Sequence, residues 1–311
     1  MVSKKRPKRS ANRDGFGGRF IYTAGGIVAD TLTITMKPPC ATESRVHLTR
    51  SEFEREFVAC DRPVVLRGAA SGWPALTKWT PDYLKSKLNG VVAKMSVAGD
   101  GSHDLDPATG RVWQTEPMDV GEYLDGVFND DPRFSKFYMQ QKRRPLELLD
   151  GDVALPPYFD ASALMATNLW VGPRGSFSSL HYDSSQNFLA QVRGKKHVLL
   201  FAPEDTNNLY ARSWTTSAAH TSEVGDATRA DLERFPGVRS AVGFEAELGP
   251  GDMLFIPCAW WHQVRTLEAS ISVNFWWRPR IRQVLMPSYL RIVASEMFRH
   301  TVGRFTGRAS P

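Results

Sequence analysis

His181 and Asp183, separated only by Tyr182, lie in an extended stretch of the chain. Side chains alternate along a strand, so an imidazole and a carboxylate two positions apart converge on one face. A third donor, His262 in Trp261-His262-Gln263, follows the apolar run Met253–Pro257 at the far end of the same β-rich block. Antiparallel pairing of the two segments would bring it beside the first pair. Two imidazoles and one carboxylate on one face of an octahedron leave three positions open, the donor set of non-haem iron(II) oxygenases. By itself an H-x-D is weak evidence. A histidine in such a place is more often hydrogen-bonded or at the surface, and His47, His103, His197, His220 and His300 keep that reading.

The elements that must position these residues are legible in part. From 136 to 278 short β-rich runs recur at 136–141, 166–172, 188–192, 196–201, 253–257 and 270–277, with no long amphipathic helix between the later ones. That pattern predicts a mainly β fold, a sandwich or jelly roll, and not a βαβ fold. Arg193-Gly194-Lys195 reads as a hairpin turn, and Gly249-Pro250-Gly251-Asp252 as a turn before another strand. In 270–277, Ser272, Asn274 and Trp276 alternate with Ile271, Val273 and Phe275, so one face is lined with polar groups. Ahead of the block stand mixed α and β elements. Thr49 and Glu52 form a capping-box pattern before Phe53 and Phe57. Pro63–Leu66 reads as a strand, Thr80-Pro81 starts a helix through Leu88, 91–97 alternates as a strand, and 118–128 looks helical. Residues 284–305 return to helical spacing, with Leu285, Tyr289, Ile292, Val293, Met297 and Phe298 on one face.

Two stretches of this text resemble the JmjC oxygenases. Residues 181–203, HYDSSQNFLAQVRGKKHVLLFAP, are similar to that family's metal-binding strand and the segment after it, and 249–277, GPGDMLFIPCAWWHQVRTLEASISVNFWW, to its second signature. Leu232-Glu233-Arg234-Phe235-Pro236 ahead of Val242-Gly243-Phe244-Glu245 is similar to the hydroxylase branch. Within that branch the text is most similar to the asparaginyl hydroxylases typified by factor inhibiting HIF, and more distantly to wybutosine-tRNA hydroxylases. Arg62–Gly68 and Lys78–Leu84 resemble the start of the same domain, so the likeness covers roughly 48–280 and is thin between 99 and 136.

The resemblance implies a double-stranded β-helix of the cupin type, with its core at about 136–278 of a domain spanning 48–280. It implies a dioxygenase that uses Fe(II), 2-oxoglutarate as cosubstrate and O2, with His181, Asp183 and His262 as iron ligands. Lys196 matches the lysine that pairs with the distal carboxylate of 2-oxoglutarate; read from residues alone, a lysine reaching out to solvent is the favoured reading. Tyr138 and Ser178 match hydroxyl donors to the same carboxylate, Ser178 standing where the similar hydroxylases have threonine. Asn187 and Asn274 match amides near the iron, although Asn274 is nearly as readily a satisfied buried amide. Gln140 and Trp276 match positions beside the prime substrate. Those hydroxylases also carry a glutamine in a mid-domain loop that holds a substrate asparagine. The corresponding stretch here is Ala219-His220-Thr221-Ser222, so asparagine as the target is in doubt.

Composition sets the outer limits. The 311 residues are 42% hydrophobic and 23% charged, ordinary for a globular chain. No apolar run approaches the ~18 residues of a membrane span, and the basic N-terminus lacks the apolar stretch of a secretory signal. Three scattered cysteines, Cys40, Cys60 and Cys258, argue against a disulfide framework. A cytoplasmic location follows, or a nuclear one if the chain is eukaryotic; Lys4–Arg9 reads first as part of a solvated tail, with an import signal or a tether to an anionic surface as the alternatives. Residues 1–20 and 278–311 each carry a net +6, so the body between them must be net −6 for the chain to total +6. Residues 1–47 read as a basic, disordered tail with an N-terminal extension, and 281–311 as a C-terminal helical segment. A protein or peptide substrate suits the acidic body, with its patch of Asp100, Asp104, Asp106, Glu116, Asp119 and Glu122, better than a polyanion does. Nucleic acid would meet the basic ends, as for a hydroxylase of a tRNA base; a small-molecule substrate stays open too. Lysine demethylation and a non-catalytic cupin binding module rank below these readings. The apolar face of 284–305 either pairs two copies of the chain or packs on its own domain, with equal weight.

Overall fold

The structure, a computed structural model, describes residues 36–88, 90–98, 115–142, 147–216 and 218–306. Residues 1–35, with most of the basic tail, and Asp100, Asp104 and Asp106 of the acidic patch lie outside the described residues. The strands are β1 (Cys40–Ala41), β2 (Ser44–Arg45), β3 (Val64–Leu66), β4 (Val92–Val97), β5 (Thr115–Asp119), β6 (Phe137–Lys142) and β7 (Leu164–Gly172). They continue with β8 (Phe177–Tyr182), β9 (Gln186–Arg193), β10 (Lys196–Phe201), β11 (Gly243–Leu248), β12 (Met253–Ile256), β13 (Trp261–Thr266) and β14 (Ser270–Trp277). Among the described residues they form a five-stranded sheet, β1-β11-β10-β13-β8, and a nine-stranded sheet, β2-β3-β12-β9-β14-β7-β6-β4-β5. The jelly roll expected from the β-rich runs, of the cupin type that the resemblance implies, is the observed fold.

Alternation along the strands divides the apolar side chains into layers. Val65, Leu189 and Leu254 of the larger sheet meet Val198, Leu200 and Leu248 of the smaller one, and these make the interior between the sheets. Phe188, Val192, Met253, Phe255, Ile271, Val273 and Phe275 point the opposite way, onto Phe53, Phe57, Trp79 and Leu84 of the N-terminal helices. Thr49 caps the first of these helices, Arg50–Phe53, through the reciprocal Glu52 pairing that the sequence predicts. Helix Pro81–Leu88 also forms where expected. Asp152, buried, joins this layer by accepting from Tyr83 Oη at 2.6 Å, Lys78 Nζ at 2.9 Å and Trp79 Nε1 at 3.1 Å. Burial pushes its carboxyl up, but the Tyr83, Lys78 and Trp79 bonds together outweigh that and hold it below the usual carboxylate range.

Three readings change. Arg193-Gly194-Lys195 is not a hairpin turn: β9 pairs with β12 and β14, whereas β10 pairs with β11 and β13, so the turn carries the chain from one sheet to the other. Gly194 takes φ 68°, and a Cβ there would meet the Ala269 carbonyl at 2.3 Å. The segment 36–47 belongs to the domain, because β1 and β2 each add a parallel strand to a sheet. The C-terminal segment, with helix Pro287–Thr306 and the two residues before it, divides its apolar side chains. Met286, Tyr289 and Ile292 cover Leu180, Tyr182 and Trp261 of its own domain, while Leu285 and Met297 stay exposed. No helix among the described residues is long and apolar enough to cross a membrane.

Candidate metal and oxoacid site

His181 and His262 are direct cross-strand partners in the β8–β13 pair. Their rings lie 4.3 Å apart, and His262 Nε2 is 3.9 Å from Asp183 Oδ2. One donor atom from each of His181, Asp183 and His262 lies within 4.8 Å of the others, the one such cluster among the described residues. His181 Nδ1 meets the Ser179 carbonyl at 2.6 Å and His262 Nδ1 meets the Trp260 carbonyl at 3.0 Å. A carbonyl can only accept, so each ring donates from Nδ1 and its Nε2 is the atom left to meet a metal. Burial, and then the neighbouring His181, lower the His262 pKa to about 4, so it is a neutral donor at ordinary pH. The backbone fixes the third candidate, Asp183. Ala259, in the turn before β13, takes φ 66° and donates its N–H to the Asp183 carbonyl at 2.9 Å. A non-glycine residue in that region costs about 1 kcal/mol or more. The donor set fits one divalent metal.

Lys196 lies on the same inner face of β10 as Leu200, the partner of His262, four residues along. At ~3.3 Å per residue its backbone stands ~13 Å from the histidine level. Its ammonium crosses to the other sheet, donating to Ser272 Oγ at 2.7 Å and Tyr138 Oη at 3.1 Å. It is 2% exposed and no carboxylate pairs with it among the described residues; burial lowers its pKa to about 7. Solvent reach is therefore excluded for this lysine. The Tyr138 ring lies against Gly172, where a Cβ would come within 2.3 Å of a ring carbon, so only glycine admits the tyrosine.

The other predicted residues share this interior. Ser178 stands three before His181, and regular alternation would turn it away. A bulge in β8 corrects this: Ser178 pairs with Val264 while His181 pairs with His262, and those two partners lie on one face. Asn187 pairs with Trp276, and the Asn187 Oδ1 and Trp276 Nε1 atoms are buried without a hydrogen-bond partner. Asn274 Oδ1 accepts from Asn168 Nδ2 at 3.1 Å and Trp170 Nε1 at 3.0 Å. Gln140 pairs with Trp170, one strand further out. In the stretch Ala219–Ser222, Thr221 bridges to His181 and its hydroxyl donates to the Ala218 carbonyl at 2.8 Å.

Sequence reasoning passed over Ser272 as a lysine partner, and Asn168 and Trp170 altogether. The signal existed for all three. Ser272 lies on the polar-lined face of 270–277, and in β7 Asn168 and Trp170 alternate with Leu169 and Val171 in the same way.

Residues 50–283 match the model of a cupin-like domain. Lysine-specific demethylase 8 of Danio rerio is 33% identical over 249 residues, 77% of this chain and 59% of that protein. tRNA wybutosine-synthesizing protein 5 of Gallus gallus is 30% identical over 260 residues, 78% of each chain. The human bifunctional peptidase and (3S)-lysyl hydroxylase JMJD7 is 27% identical over 259 residues, 74% of this chain and 81% of that protein. The chain thus spans little more than half of the demethylase-named relative. Special closeness to asparaginyl hydroxylases is a finer statement than these relatives carry. The chain belongs to the cupin-like, JmjC-type domain family.

Proposed function

We propose that the protein is an Fe(II)- and 2-oxoglutarate-dependent dioxygenase that hydroxylates a side chain of a protein or peptide. The observation that carries this reading is Lys196: a buried ammonium with hydroxyl partners and no counter-charge, on the same inner face as the metal-ligand cluster. Leaving such a cation unpaired costs several kcal/mol, and a dicarboxylate that reaches from the metal to the lysine removes the cost. Bound there, iron and the oxoacid supply an oxidant that places one oxygen atom of O2 in a substrate C–H bond while the oxoacid becomes succinate and CO2.

The protein's part is positional. His181, Asp183 and His262 hold the metal on one side and leave the other open. Lys196, Tyr138, Ser272 and Ser178 take the far carboxylate, and Asn187 and Asn274 line the span between. Gln140 and Trp276 face the prime substrate. No side chain need act as general acid or base.

The net −6 of the body supports a neutral or basic peptide. The relatives named as lysine-specific demethylases and as a lysyl hydroxylase point to protein lysine, and they lift demethylation from its low rank. The wybutosine relative and the basic ends favour a second reading, an RNA base. One assay separates them: succinate release with iron and 2-oxoglutarate, then mass spectrometry of a peptide pool and of RNA nucleosides. One added oxygen on peptides is the expected result. Loss of a methyl group with release of formaldehyde would mean demethylation, and oxygen only on nucleosides would overturn the peptide reading. For the exposed Leu285 and Met297 we keep pairing with a second copy as the proposal; a one-chain mass in solution refutes it.

A further inference from the structure

The oxygen and nitrogen of an asparagine amide are nearly the same size, so shape alone does not say which faces a given neighbour. At Asn274 the neighbours decide. Its Oδ1 accepts from Trp170 Nε1 and from Asn168 Nδ2. An indole N–H only donates, so turning the Asn274 amide over would set its NH2 against the Trp170 donor. All three side chains share the inner face: Asn274 pairs directly with Asn168, and Ser272 with Trp170. Along β14, Asn274 lies between Ser272, which holds Lys196 Nζ, and Trp276, the partner of Asn187. The Asn168 Oδ1 left over is buried without a partner, although the residue is fully buried. That is a cost packing alone does not explain.

We propose that Asn168 and Trp170 are positioning residues that lock the Asn274 amide, so that its Nδ2 hydrogens face the interior between Lys196 and the metal ligands and donate to an oxyanion of the bound oxoacid. The identity of the ligand rests on the proposed function; the lock itself rests on the three side chains. Trp170→Phe keeps an aromatic ring and deletes the one donor that cannot reverse. Asn168→Asp replaces the other donor with an acceptor and draws the Asn274 nitrogen toward itself.

The test is calorimetric binding of 2-oxoglutarate to protein loaded with Mn(II) in place of iron. Trp170→Phe should weaken binding about tenfold, the loss of one hydrogen bond to a positioned group, with a nearly unchanged thermal midpoint. Asn168→Asp should weaken it further. On an Asn274→Ala background, Trp170→Phe should have no further effect. Unchanged affinity in Trp170→Phe, or full additivity with Asn274→Ala, overturns the proposal. A ligand-free measurement stands beside it. The indole N–H resonance of Trp170 in isotope-labelled protein should shift when Asn274 becomes alanine, and an unmoved resonance overturns the lock. Wild-type protein that binds no 2-oxoglutarate sinks the functional reading, while the resonance still decides the lock.

Discussion

Replacing His181 with alanine should abolish one-to-one Fe(II) binding and lower succinate formation by at least about a thousandfold, because the remaining pair is an incomplete chelate. The fold should persist. His181 is only half-buried, and β8 keeps its pairing with β13 through Tyr182–Trp261 and Phe177–Arg265. The ring also takes no part in the apolar clusters. Equilibrium dialysis of iron, read beside a thermal melt, checks both halves. Iron bound one-to-one by the variant would remove His181 from the ligand set.

Lys196→Met should act on the other end of the site and in the opposite sense on stability. The KM for 2-oxoglutarate should rise about a hundredfold or more, the usual cost of deleting one partner of a buried charge pair, while the ligand-free protein becomes more stable. The ammonium is buried without an anion, and methionine fills a similar volume without the charge. The pH dependence carries the same signature. Folded Lys196 releases its proton at about 7, against ~10.4 in the unfolded chain. Between those values the unfolded chain holds more protons, so Lys196 makes stability rise with pH through that window, and its destabilising effect is full below pH 7. The methionine variant should lose that slope in denaturant titrations. Above pH 7 the wild-type protein should also take up a proton on binding 2-oxoglutarate, seen as a binding enthalpy that changes with the buffer. A variant with unchanged KM would place the far carboxylate elsewhere.

Residue types and spacing pointed to the candidate metal ligands because their chemistry is local: His181 and Asp183 follow strand alternation, and His262 needed one pairing to reach them. The β runs were legible for a similar reason: β12 is buried throughout and reads as continuous apolar text, while in β14 polar and apolar residues alternate. β11 and β13 escaped because charged residues interrupt them, as Glu245 and Glu247 do in β11 and Arg265 does in β13. Which sheet a strand joins is not local information, and the turn at Gly194 shows it: a short connection serves a hairpin and a crossover equally well. The bulge in β8 is the same kind of case. Nothing in Phe177–Tyr182 announces the extra residue, yet it turns Ser178 toward the ligands. Family resemblance supplied Ser178 and Lys196, and the structure supplied the physical reason that each lies inside.

The anchor at Lys196 and the ligand proposed for Asn274 both presuppose one site that holds metal and oxoacid together. An Fe(II) ion chelated by an α-oxoacid gives a visible charge-transfer band that neither gives alone. Titrating the anaerobic protein with iron and then with 2-oxoglutarate should raise that band to one equivalent per chain, and His181→Ala should show none. Iron that binds without the band on saturation with 2-oxoglutarate, or a band undiminished in His181→Ala, would contradict the account.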